Sequence, residues 1–312
     1  MLSDGLKRVA KERGSQAALG SSMATTEGPR SALPAVIEAQ LRFIADRLRE
    51  GKDLKEEIHE ARKGLKRVRA LLRLVKGDLG AAYSEESRRL RDLGRRFSEM
   101  RDAHATLEAF DEFAKKRRLV RKLAAVRTEL VRKQLELEQG TDWAPVMKQA
   151  ADEVAAAEKR VENWPQSIEP SLKSGYSKAQ AAWKAAEEGH APDQFHELRK
   201  CTKTHLYQLR VLSGGGFKER LAALKDLSDC LGRQHNFVVL AGKLPESGDL
   251  AALGTETRER ITRERLLLEK QALALAAQVY DQKPKAFMRE FQGAEKKPAG
   301  VVGAKKAQSA VA

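Results

Sequence analysis

Apolar positions recur every three or four residues along most of this chain, and almost nowhere do they alternate. That is the period of an amphipathic helix. Val36, Ile37, Leu41, Ile44 and Leu48 make one side of a helix that Pro34 opens and Gly51 stops. Asp53 as N-cap, with Glu56 three residues on, predicts a capping box and a second helix ending near Gly77. Ser84 is expected to cap a third, running towards Arg101-Asp102-Ala103-His104, and Leu107, Phe110 and Phe113 mark another. The run from Lys115 to Lys122 reads as a solvated helix face or turn beside Leu119, Leu123 and Val126 rather than a nuclear localisation signal, and helical pattern then continues to Gly140.

Trp143 to Trp164 reads as one more amphipathic helix. Pro165 to Gly175, rich in Pro, Ser and Gly, is expected to link two halves. Beyond it, helices are predicted over 176–188, from Pro192-Asp193 to the stop at Gly214-Gly215-Gly216, over Phe217–Leu231, over Gln234–Leu244, and from about Thr255 to Tyr280, before Pro284. The fold class is therefore all-α. A composition of 33% charged and 5% aromatic residues, with Leu, Ala and Val supplying the apolar faces, agrees with it.

One predicted helix stands out. His59 to Arg73 (HEARKGLKRVRALLR) holds six Arg/Lys and one acid. His59, Arg62, Lys63, Lys66, Arg69 and Arg73 fall on one stripe at ~3.6 residues per turn. Ile58, Ala61, Leu65, Val68, Leu72 and Val75 make a second, apolar stripe on another face. One face can enter a core while the other carries a row of cations.

The pattern recurs. His59-Glu60-x-Arg62-Lys63-x-x-Lys66 aligns with His196-Glu197-x-Arg199-Lys200-x-x-Lys203, 137 residues on. Downstream, Leu90-Arg91-Asp92-Leu93 aligns with Leu224-Lys225-Asp226-Leu227 at an offset of 134, which sets Arg101-Asp102 opposite His235-Asn236. Two matched helices at nearly one spacing argue for two similar helical bundles, at 32–165 and 166–292, flanked by disordered basic tails at 1–31 and 293–312. Packed about a pseudo-two-fold axis, such units bring their cationic stripes together.

The net charge of +15 sharpens this picture. The first 30 residues contribute +2 (five basic, three acidic) and residues 293–312 contribute +3 (four Lys, one Glu), leaving +10 on the middle. Arg presents a planar donor fork matched to phosphate oxygens, Lys a compact cation, and His a donor whose protonation a neighbouring phosphate favours. A row of such groups over several turns suits a linear polyanion. The candidate set is His59, Arg62, Lys63, Lys66, Arg67, Arg69 and Arg73, then Arg88, Arg89, Arg95, Arg96 and Arg101 from the arginine-rich third helix. His196, Arg199, Lys200, Lys203, Tyr207 and Arg210 complete it.

Cys201 and Cys230 have no CxxC partner and no His at metal-ligand spacing, so buried reduced thiols, a reducing compartment and no metal site are expected. The N-terminal stretch MLSDGLKRVAKERG lacks an apolar h-region, and no run approaches the ~20 apolar residues of a membrane span.

These residues resemble the CHAD family, the "conserved histidine α-helical domain". Its signature is similar to two copies of H-x-x-R-x-x-x-[KR]-R-x-R. The first copy fits at His59, Arg62, Lys66, Arg67, Arg69 and then Arg73. The second fits at His196, Arg199 and Lys203, and at Tyr207 and Arg210 beyond. It departs at Thr204 and Leu206, where the family usually has basic residues, with Lys200 and His205 expected to compensate in part. The resemblance covers roughly residues 32–292. It implies two antiparallel four-helix bundles with a basic groove between them, and binding of inorganic polyphosphate. In some members it implies association with cytoplasmic polyphosphate or polyhydroxyalkanoate granules. The CYTH triphosphate-hydrolysing domain often fused to CHAD is not expected here, because its ExExK strand has no counterpart beyond Glu136-Leu137-Glu138, followed by Gln139 and Gly140 in a helical pattern.

Three functions follow. The first is a non-catalytic polyphosphate binder without a cofactor. The second is a nucleic-acid or chromatin-associated protein binding non-specifically, which the basic tails favour, although few aromatics and no recognition motif accompany the stripes. The third is a polyphosphate- or triphosphate-processing enzyme, although no GxxxxGK[ST] occurs and the stripes carry only Glu60 and Glu197 as acids.

Overall fold

A computed structural model describes residues 33–160, 168–213 and 217–295. Both expected tails (but for residues 293–295), the end of the Trp143–Trp164 helix, the start of the expected link and the Gly214–Gly216 stop lie outside these residues. The described residues are all-α, with no strand among them. In chain order the helices are α1 (Leu33–Glu50), α2 (Leu54–Leu72), a 3-10 turn Arg73–Val75, α3 (Lys76–Leu79), α4 (Ala81–Arg96), α5 (Ser98–Lys116), α6 (Ala124–Gln139) and α7 (Trp143–Lys159). Then come α8 (Glu169–Gly189), α9 (Pro192–Leu212), α10 (Lys218–Ala241), α11 (Ala251–Tyr280) and α12 (Pro284–Glu295).

The apolar stripes become the core. Val36, Ile37, Leu41, Ile44 and Leu48 of α1, and Ile58, Ala61, Leu65, Val68 and Leu72 of α2, are all buried. At the head of α2 the Asp53 carboxylate accepts from the Glu56 amide at 3.2 Å, as its sequence position predicts. α1 packs on α2 and α7, α2 on α4, and α5 on α6. The second half follows a like order: α8 packs on α9, α11 and α12, α9 on α10, and α10 on α11. Between the halves, α2 packs on α9 and α5 on α10, so the two helices with the H-E-x-R-K pattern are direct neighbours.

Several boundaries differ from expectation. The third helix starts at Ala81, not Ser84. Gly80, at φ +50°, reverses the chain sharply, and the helix begins at once without a hydroxyl cap. It ends at Phe97 rather than near His104. The Phe97 ring is fully buried and stacks on Trp143 at 6.5 Å, and this side-chain anchor is not visible as a break signal. Arg101 to His104 thus belong to α5. Residues 169–175 of the expected link are helical, because Pro170 falls in the first turn, where its missing N–H costs nothing, and Leu172 and Tyr176 anchor the turn in the core. Residues 217–231 and 234–244 form one helix, α10, to Ala241: Leu231, Gln234 and Phe237 keep the buried stripe continuous past Gly232. Pro284 both follows α11 and opens α12, whose Phe287 and Phe291 are fully buried. The Lys115–Lys122 run is the expected turn, held by Lys116 and Arg117 at Glu264 and by Lys122 at Glu256 (2.7 Å). No helix among the described residues is long and apolar enough to cross a membrane.

Candidate polyanion-binding site

The C-terminal end of α2 and the turn that follows it are joined to α9. Gln208 Nε2 donates to the Ala70 carbonyl at 2.8 Å, Arg73 Nη1 donates to Thr204 Oγ1 at 3.3 Å, and the Arg67 guanidinium lies 5.9 Å from the Tyr207 ring centre. With that face closed, the neighbouring faces of the two helices turn their cations towards each other and towards α5 and α10.

Lys66 stands among these cations. It is exposed at the surface, yet its pKa falls to about 7, first from burial by the surrounding protein and then from Arg62, Arg199, Lys203 and Arg101. Lys203 falls to about 8, again first from burial, with Arg199, Arg210 and Lys63 adding to the shift and Asp229 opposing it. Arg199 is lowered by burial and then by Arg101, with Tyr207 and Asp102 opposing, and its Nε is buried without a protein partner. Four helices supply these groups: α2 (Arg62, Lys66), α5 (Arg101), α9 (Arg199, Lys203) and α10 (His235). Some of these groups are also positioned by hydrogen bonds. Arg62 donates to the Gly94 carbonyl and to Ser98 Oγ (2.7 Å), Lys203 to Ser228 Oγ (3.2 Å), and Arg101 lies 3.7 Å from Glu108.

Three histidines border the cluster. His235 is pushed down to about 4 by burial and then by Arg199, His196, Lys66 and Lys203. Its ring lies 5.0 Å from that of His196, which burial, Lys200 and Arg199 also lower. His59 is lowered by burial and by Arg101. All three are held below the ordinary histidine value in the free protein, and an arriving anion would favour their charged forms.

The remaining predicted residues are distributed more widely. Lys63 pairs with Glu60 at 2.9 Å, and the exposed Lys200 pairs with Glu197. Arg67 is buried against Tyr207. Arg69 and Arg95 lie towards the α2–α4 side, whereas Arg73 turns to α9 and its bond with Thr204. Arg88, Arg89 and Arg96 line a separate cavity with Glu86, Glu153 and Arg160, in which Arg96 pairs with Glu153 at 2.7 Å and Arg89 with Glu86 at 3.5 Å. Tyr207 and Arg210 remain half-buried on α9. His205 cannot compensate for Thr204 and Leu206, because it is buried among Tyr176, Tyr280 and Phe287. The signature reading missed Asp102, Ser98 and His235. The 134-residue offset that sets His235 opposite Arg101 is the signal that would have found the last.

Guanidinium, ammonium and imidazole groups crowded in this way can neutralise and orient phosphate oxygens. Among the described residues no group of three or more His, Cys, Asp or Glu could hold a metal ion.

The crystal structure of the CHAD domain from the plant Ricinus communis is similar at 19% identity over 87% of this chain and 95% of that one, with a TM-score of 0.45. No curated protein matches. The family described as CHAD domain matches residues 35–245, and the chain belongs to it.

Proposed function

We propose that this protein binds inorganic polyphosphate without turning it over, holding the linear polyanion in a basic groove where α2 and α9 meet. The crowding at Lys66 carries the reading. Lys66 is exposed at the surface, and Arg62, Arg199, Lys203 and Arg101 all act on its charge. Like charges gathered from both halves destabilise the free fold, and a polyanion relieves that cost. Orthophosphate meets a few of these groups, whereas each further phosphate of a chain meets another. The groups that converge supply charge and hydrogen-bond donors, which favours binding over phosphoryl transfer, since the latter calls for metal-holding carboxylates or a P-loop. The two buried free thiols fit a reducing, cytoplasmic setting, where association with polyphosphate-containing granules is the natural consequence.

The test is a titration with long-chain polyphosphate and with duplex DNA at two salt concentrations. Polyphosphate binding is expected to be steeply salt-dependent and tighter per charge than DNA. Replacing Lys66 and Arg199 together by alanine should lower the polyphosphate affinity on the order of tenfold or more. Equal affinity per charge for DNA and polyphosphate, or an unchanged affinity in the double variant, overturns the proposal.

A further inference from the structure

The run from Lys115 to Lys122 closes α5 far from the cluster around Lys66. From Arg101 to Lys116 the helix rises roughly 22 Å at ~1.5 Å per residue. Six cations and no acid fall within these eight residues. Three of the cations fix the turn: Lys116 and Arg117 reach Glu264 of α11, and Lys122 reaches Glu256. Lys115, Arg118 and Arg121 are exposed and form no ion pair among the described residues.

The same turn presents an apolar side chain that the fold does not use. The Leu119 amide donates to the Ala114 carbonyl at 2.8 Å, and the Leu123 amide to the Leu119 carbonyl at 2.9 Å. Leu119 packs against the core and Leu123 is buried in it, so the turn has its inward anchors. Val120, between them, is 56% exposed. On α11, Leu267 stands one turn beyond Glu264, on the side that receives Lys116 and Arg117, and is 63% exposed. Arg118 is unusual in its backbone as well. Its φ of +55° is left-handed, and its amide donates to the Lys115 carbonyl at 3.2 Å as the helix ends. Glycine ordinarily fills this place, because it has no Cβ to crowd. An exposed, unpaired arginine gives the turn nothing that glycine would not, which points to a use outside the fold.

We infer that the Lys115–Lys122 turn docks on an anionic lipid surface, with Val120 and Leu267 entering the headgroup layer and Lys115, Arg118 and Arg121 meeting the lipid phosphates. Charge complementarity selects the partner: three unpaired cations face outwards, while the acids beside them, Glu256 and Glu264, are already paired. A dissolved polyanion would use the cations and leave the two apolar side chains in water, whereas the boundary of a bilayer takes both. Two side chains insert little apolar area, so attachment is reversible and depends on anionic lipid. It needs no membrane-spanning helix, and it does not depend on what the α2–α9 cluster binds.

The experiment measures binding of the full chain to vesicles of phosphatidylcholine alone and of phosphatidylcholine with phosphatidylglycerol. Arg118→Gly/Arg121→Ala is compared with Lys173→Ala/Lys184→Ala, which removes the same charge from exposed positions on α8. The first variant is expected to bind the anionic vesicles on the order of tenfold more weakly, with Tm equal to or above that of the unaltered protein, since glycine suits the backbone at 118. The α8 control should bind like the unaltered protein. In a Val120→Trp variant the added fluorescence should shift to the blue on anionic vesicles, and should not shift on phosphatidylcholine alone or with long-chain polyphosphate. Absence of vesicle binding, an equal loss in the α8 control, or no blue shift at position 120 overturns the proposal. The same shift on duplex DNA overturns it too, and would make the turn a nucleic-acid face.

Discussion

The Gln208 side-chain amide donates to the Ala70 carbonyl across 2.8 Å, and this buried bond ties the two basic helices to each other. At the matching position of the first repeat stands Leu71, an ordinary core residue. Gln208→Ala removes both the bond and the buried methylenes. A loss of about 2–3 kcal/mol is expected from the hydrogen bond and the packing together, or roughly 2–4 °C in Tm for each kcal/mol. Polyphosphate affinity should fall as well, since the variant loosens the spacing between α2 and α9. Thermal unfolding with and without ligand checks both. Stability equal to that of the unaltered protein would mean that the bond does not hold the helices together.

The depressed lysines set a pH dependence whose sign differs between folding and binding. Lys66 at about 7 and Lys203 at about 8 both lie below the ordinary value of 10.5 that they take when unfolded. Above pH 7 the unfolded chain therefore holds more protons than the folded one, so stability of the free protein rises with pH from about 7 towards 10. A polyanion favours the charged lysines and raises their pKa values, so binding takes up protons in the same window and affinity falls as pH rises. Calorimetry at pH 8 in buffers of different ionisation enthalpy should show net proton uptake. Identical apparent enthalpies in all buffers would show that these lysines stay charged throughout.

Lys66 should also separate stability from binding. Its ammonium is repelled by Arg62, Arg199, Lys203 and Arg101, so Lys66→Met removes a repulsion and keeps most of the side-chain volume. The free variant is expected to melt a few degrees higher at pH 7, at roughly 2–4 °C per kcal/mol. Its polyphosphate affinity should be on the order of tenfold weaker. A variant that is both less stable and less able to bind would place Lys66 in a supporting role instead.

The helical class, the buried faces of α1 and α2 and the recurrence of the H-E-x-R-K pattern were legible from spacing, because a 3.6-residue period and a repeat offset are properties of the chain alone. Boundaries that tertiary contacts decide were not. Phe97 ends α4 by stacking on Trp143, and Gln234 carries α10 through by bonding Glu269 at 2.8 Å, and neither partner is near in sequence. Within the candidate site, the stripe named Arg62, Lys66, Arg199 and Lys203, which do converge. It could not tell them from Arg96, whose partner Glu153 on α7 comes close only in the fold, whereas Arg89 has its partner Glu86 three residues before it on the same helix. His205 misled for a different reason: its residue type suggested the basic face, although the repeat offset sets it opposite Val68 of the apolar stripe.

His205 offers the clearest separation of folding from binding. It occupies the position that Val68 holds in the first repeat and is as fully enclosed, at 2% exposure, with Tyr176, Tyr280 and Phe287 rings 5.6, 5.8 and 5.3 Å away. Neither ring nitrogen has a protein partner, and burial, followed by Arg220, drives the pKa down to about 3. The imidazole is therefore neutral and carries an unsatisfied N–H, at a cost of about 1–3 kcal/mol. His205→Leu fills similar space with no polar atom and should raise stability by about 1–2 kcal/mol at pH 7. The gain should widen as pH falls below the unfolded value of 6.5, since the unfolded histidine then takes up a proton that the folded one refuses until about pH 3. Urea unfolding at pH 7 and pH 5 measures both effects. Polyphosphate affinity at pH 7 should stay unchanged, because this ring faces the aromatic core and not the cations. A destabilised His205→Leu protein would show that a buried water or polar contact satisfies the imidazole, and loss of binding would return His205 to the basic face.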